Sequence, residues 1–125
     1  MSSRDDRIVQ NEALFREMNE RMAEWPERQA APATERHLFF CECGDRACQE
    51  RVLLTIAEYA AIRATPVRFV VLPGHVWAEA ERVVEKHAGY VVVEKGERFR
   101  YTVEQAGERW AKQSSSDGRT QKRRA

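Results

Sequence analysis

The chain has 125 residues, 42% of them hydrophobic and 33% charged, so one compact domain with a packed interior is expected. Its 21 basic and 20 acidic side chains leave a net charge of +1. That balance lacks the basic excess of a dedicated nucleic-acid-binding domain and gives no attraction to an anionic membrane.

No apolar h-region follows the first residues, and no apolar run approaches the length of a membrane span. The three cysteines all fall between positions 41 and 48. Disulfide frameworks use even numbers of cysteines spread along a secreted chain, so an odd, clustered set suits a reducing compartment and a metal. A cytoplasmic protein is expected.

The elements follow in chain order. From about Asp5 to Trp25, Ile8, Phe15, Met18, Met22 and Trp25 recur at heptad-like spacing with Leu14 beside them, which predicts an amphipathic helix docked by that stripe. Pro26 ends it, and the stretch to Glu35 reads as a linker, so the organisation is 1–35 for helix and linker, 36–112 for the main α+β domain and 113–125 for a disordered tail. Arg36 to Cys43 reads as a strand, Gly44-Asp45-Arg46-Ala47 as a turn and Gln49 to Leu54 as a returning strand, a hairpin with the cysteines at its tip. Thr55 and Glu58 have capping-box spacing and open a helix to about Arg63. Val67 to Leu72 is strongly β in character, and Pro73-Gly74-His75 is a turn.

Trp77, Ala80, Val83, Val84 and His87 fall on one face of a helix, and Gly89 stands where a helix C-terminus wants a left-handed residue. Tyr90 to Glu94 is a strand. The order predicts a strand–helix–strand unit in a small mixed sheet within a single α+β domain. Beyond Gly96, Phe99, Tyr101 and Val103 fit a short strand, and Thr102 alternatively caps a helix containing Ala106 and Trp110.

The most specific motif is Cys41-x-Cys43-x4-Cys48. Zinc accepts tetrahedral thiolate coordination without geometric strain. Alternate residues of a strand share a face, so Cys41 and Cys43 point the same way and Cys48 approaches from the opposing strand. A fourth ligand is sought among His75, His37, His87 and Asp45. His75 is preferred because its turn ends a strand and can reach a hairpin tip. His37 lies towards the far end of its strand, His87 suits the C-terminus of the predicted helix, and Asp45 suits a turn.

The run Phe40-Cys41-Glu42-Cys43 with Cys48, Leu54 to Tyr59, Arg68 to Val71, Pro73-Gly74-His75 and Tyr90 to Lys95 resembles a family of small uncharacterised bacterial proteins with a CxC-x4-C…PGH pattern. Asn11 to Arg16 with Asn19-Glu20-Arg21 resembles that family's opening. The likeness covers about Asn11 to Lys95. It implies a site of three cysteines and the histidine of the Pro-Gly-His turn, and it supplies no activity.

Three functions are compatible with these residues. The first is a zinc-stabilised regulatory or adaptor module that binds a protein partner, with weak nucleic-acid contact through the basic residues Lys112, Arg119, Lys122, Arg123 and Arg124. The second is a zinc-dependent hydrolytic enzyme with water on the metal and Glu42 or Glu94 as general base. The third is a thiol-based redox sensor. There is no Gly-rich phosphate loop, no H-E-x-x-H and no nucleophile elbow.

Overall fold

A computed structural model describes residues 3–45 and 47–96 of the chain. The first element is a 21-residue helix, α1 (Ser3–Ala23), followed by one turn of helix, α2 (Pro26–Gln29). The expected linker therefore begins helical, because Pro26 fits the first turn, where its missing N–H costs nothing. Strands β1 (His37–Phe40) and β2 (Arg51–Leu54) form the antiparallel hairpin.

Thr55 caps α3 (Ile56–Arg63): its hydroxyl accepts from the Glu58 N–H while the Glu58 carboxylate accepts from the Thr55 N–H. Strand β3 (Arg68–Val71) then leads into a short 3-10 turn at Pro73–His75.

The structure departs from expectation after Trp77. No helix covers 77–87. The chain turns at Trp77, whose carbonyl accepts from the N–H groups of Ala80 and Glu81, and then runs as strand β4 (Glu81–His87). β4 pairs antiparallel with β5 (Tyr90–Lys95), and β5 pairs antiparallel with β3, giving the order β3-β5-β4. The strand–helix–strand crossover and the mixed sheet are thus replaced by a hairpin in an antiparallel sheet.

The reason is visible in the register. Val83 lies opposite Val93 and Glu85 opposite Val92, so a bulge at Val84 inserts one extra residue. The bulge breaks two-residue alternation, and with Trp77 and Ala80 in the preceding turn the apolar residues fall at helix-like intervals. Gly89 does adopt positive φ, at 89°, but it closes the β4–β5 turn rather than a helix.

The described residues form a small single-domain α+β fold with two antiparallel sheets and five strands. Its core is Phe39 stacked on Tyr59 with ring centroids 4.6 Å apart, together with Val52, Leu54, Phe69 to Val71 and Val91 to Val93. The Phe99–Val103 strand, the Thr102-capped helix and the basic tail lie outside the described residues.

α1 docks by an unexpected face. Among its described side chains Val9, Glu12, Arg16, Asn19 and Glu20 are buried, and four of those five are polar. Each polar one has a partner across the interface: Glu12 meets Lys95, Arg16 donates to the Pro66 carbonyl, Asn19 meets β1, and Glu20 pairs with Arg63. The heptad stripe turns aside. Phe15 packs on Phe40 at 5.9 Å, while Leu14 and Trp25 are 47% and 48% exposed.

The inversion yields a contrast. Asn19→Ala strands the Phe40 amide and part of a buried carboxylate, so it should destabilise the protein by about 2–3 kcal/mol. Leu14→Ser should change stability by less than about 0.5 kcal/mol. Urea denaturation of both variants measures this.

Candidate metal centre

The site grows from the end of the hairpin. Pairing continues one residue past β1, where the Cys41 N–H donates to the Glu50 carbonyl at 3.2 Å. Cys41-Glu42-Cys43 then alternates about the chain axis. The two sulfurs face one way, towards Cys48 and His75, and the Glu42 carboxylate faces the other way into the protein. The Cys48 N–H donates to the Asp45 carbonyl, a tight turn that brings the third sulfur back. The 3-10 turn after β3, closed by the His75 N–H on the Leu72 carbonyl, delivers the imidazole.

Cys41, Cys43, Cys48 and His75 lie together, with all four ligand atoms within 4.8 Å of one another. His75 Nδ1 is 3.7 Å from Cys41 Sγ and 3.5 Å from Cys48 Sγ. A tetrahedral ion with usual Zn–S and Zn–N bond lengths separates sulfur from nitrogen by about 3.5 Å and sulfur from sulfur by about 3.8 Å. The separations of His75 from Cys41 and Cys48 match that spacing, and all four donors lie close enough to converge on one ion.

Each sulfur also receives a backbone N–H. Leu72 donates to Cys41 Sγ at 3.3 Å, Asp45 to Cys43, and Glu50 to Cys48. Donors aimed at sulfur stabilise thiolate and orient it, which is the role of the outer shell at metal centres.

The thiols share protons unequally. Cys43 is drawn down to about 5, chiefly by the hydrogen bond that the Cys41 thiol donates to it, with His75 and the Asp45 N–H helping. Cys41 is pushed up because it supplies that proton and is buried, and Cys48 is pushed up by desolvation. One thiolate thus sits among thiols that a metal ion would deprotonate on binding. Cys43 and His75 also line a groove of about 420 Å³ shared with Ile8, Val76 and Trp77.

The other ligand candidates are engaged elsewhere. His37 lies 3.9 Å from Glu35. His87 is on β4, stacked on Tyr90 at 4.6 Å and bonded to Glu85, so its expected place at a helix end gives way to a strand pairing. The Asp45 carboxylate accepts from the Ala47 N–H, as a turn residue does.

The two carboxylates considered as general bases are occupied as well. Glu94 is held by Arg68 and Arg82, which keep its carboxyl below the usual range, the Arg68 hydrogen bond contributing most. Glu42 is fully buried and accepts from Asn19 Nδ2 at 2.9 Å, Tyr59 OH at 2.6 Å and the Val70 N–H at 3.1 Å. Its own N–H donates to the Val70 carbonyl at 2.8 Å. Glu42 therefore joins the cysteine loop to α1, α3 and β3 at one point. Its sequence signal was its position between two cysteines, which fixes it on the face opposite the sulfurs.

Gly44 marks a further constraint. A Cβ there would lie 2.2 Å from Ile8 Cγ2 and 3.1 Å from the Ile8 carbonyl oxygen, so only glycine lets α1 sit on the loop. The Asn11 amide donates to the Gly44 carbonyl at 3.0 Å and closes the contact.

Comparison with protein-family models, with curated proteins and with solved structures finds no match to this chain.

Replacing Glu42 by Gln turns an amide NH2 towards at least one of three buried donors. We expect Glu42→Gln to lose about 1–3 kcal/mol in chemical denaturation and to speed metal release to a chelator. Unchanged stability would contradict the role assigned to this carboxylate.

Proposed function

We propose that the chain is a small zinc-binding module of regulatory or adaptor type, acting by presenting a surface to a protein partner. The observation that carries this reading is the convergence of three sulfurs and one imidazole nitrogen, all within 4.8 Å of one another. Three thiolates select zinc over harder cations, and a histidine completes a closed set with no position left for substrate. The backbone donors on all three sulfurs support a thiolate centre. In its bound form the ion would act as a cross-link between the hairpin tip and the β3 loop, adding its binding free energy to folding.

A binding role is favoured over hydrolysis because the two carboxylates nearest to a catalytic assignment, Glu42 and Glu94, already have full sets of protein partners. A protein partner is favoured by the outer face of the hairpin, where Leu38 and Leu53 are cross-strand neighbours and are 51% and 52% exposed. A reduced cytoplasm suits three free thiols. Among the described residues no helix is long and apolar enough to cross a membrane.

Protein purified without chelator should carry about one equivalent of zinc by elemental analysis. His75→Ala and Cys48→Ser should each weaken retention by at least about tenfold in a competition assay. Metal-free protein that is fully folded, or a His75→Ala variant with undiminished affinity, would remove the proposal.

A further inference from the structure

The interior holds a second constellation of charges that the metal reading does not use. Lys95, at the end of β5, has a side chain with no exposure. Its ammonium donates to Glu12 Oε2 on α1 at 2.7 Å and to Glu81 Oε1 at the start of β4 on another side. It also lies 4.8 Å from the Trp77 ring and 5.5 Å from that of Phe69. Glu12 is 1% exposed and Glu81 7%. Two carboxylates therefore share one cation out of contact with water, and the Cys43 thiol also acts on Glu12, raising its carboxyl further.

An unbalanced buried negative charge is expensive, and such clusters relieve it by keeping a proton. The hydrogen-bond inventory says where that proton resides. Glu81 uses both oxygens, Oε1 on Lys95 and Oε2 on the Trp77 N–H. Glu12 uses only Oε2, and its Oε1 is buried with no partner among the described residues. An ionised carboxylate wants donors on both oxygens, which Glu81 has and Glu12 lacks, so Glu12 is the carboxyl that keeps the proton. Burial pushes its carboxyl up to about 8, against the opposing pull of Lys95.

We infer that Glu12, Lys95 and Glu81 form a proton-dependent clasp that closes α1 onto the sheet beside the cysteine loop. Opening the clasp exposes Glu12 to water, where it gives its proton to solvent. Each opening therefore releases one proton. The folded carboxyl lies above its unfolded value of 4.5, so the stabilisation is complete at low pH and is lost as pH rises towards the folded value. Above about 8 no further change follows, because Glu12 is then ionised in both states.

The consequence reaches the candidate site. α1 rests on Gly44 through Ile8 and Asn11, so lifting its N-terminal half uncovers the loop that carries Cys43. The inference stands on the clasp's own geometry and does not require the metal to be zinc.

The test is hydrogen exchange of α1 amides on the full-length protein between pH 6 and 8, corrected for intrinsic rate and with metal content followed in parallel. In the unsubstituted protein the opening constant of the Val9–Arg16 segment should rise by about tenfold per pH unit and level off near pH 8. Glu12→Gln should flatten that slope, whereas a change originating in the thiols or His75 would persist in the variant. Carbon-13 titration of the Glu12 carboxyl, which needs no substitution, should report a midpoint far above that of an ordinary glutamate. Should Glu12→Gln fail to fold, Glu81→Gln removes the same excess charge and should likewise flatten the slope. A pH-independent α1, an unchanged slope in the folded variants or an ordinary Glu12 midpoint would each overturn the clasp.

Discussion

The carboxylate of Glu42 is the joint on which the rest of the structure turns. A fully buried carboxylate must be matched by donors, and this one is matched by an asparagine of α1, the tyrosine of α3 and the backbone of β3. Those contacts fix the hairpin relative to three other elements at a single residue. Because side chains alternate along an extended chain, placement of Glu42 on one side obliges Cys41 and Cys43 to face the other together, although both stay buried. The β3 residue that receives Glu42 lies five positions before His75, and the intervening turn carries the imidazole to the same sulfurs. One buried polar contact thus sets the relative position of candidate ligands that are far apart in sequence. Burial and the neighbouring carboxylate push the Tyr59 hydroxyl well above its ordinary range, which keeps it a donor.

The same logic governs α1, which enters the fold through charge rather than grease. Glu12, Arg16, Asn19 and Glu20 each meet a partner from a different segment, so the helix acts as a strut across the cysteine hairpin, α3 and the three-stranded sheet. Polar docking is directional and specifies one orientation, whereas an apolar stripe tolerates rotation and sliding. It also frees apolar residues for the surface, where Leu14, Trp25, Leu38 and Leu53 stand half-exposed. The inward charge and outward apolar character are what the proposed binding role would use.

Local chemistry made much of this readable in advance. The hairpin, the Thr55–Glu58 cap, the β3 strand and the clustering of the three cysteines follow from residue types at short spacing, while His75 was reached through the position of its Pro-Gly-His turn at a strand end and through the family likeness. Two features escaped, for different reasons. A turn holding Trp77 and Ala80 and a bulge between Val83 and Glu85 together put apolar residues at helical intervals, and the cross-strand register distinguishes that pattern from a helix. The buried face of α1 escaped because hydrophobic periodicity assumes that apolar residues point inward. The partners that make Glu12 or Asn19 an interior residue, Lys95 and Glu42, lie 83 and 23 positions away.

X-ray absorption at the zinc edge on the purified protein tests the central claim most directly. The account predicts a bound ion with three sulfur neighbours at about 2.3 Å and one nitrogen at about 2.0 Å. An absence of metal, or a shell of oxygen ligands, would contradict it and leave the four side chains as neighbours without an ion.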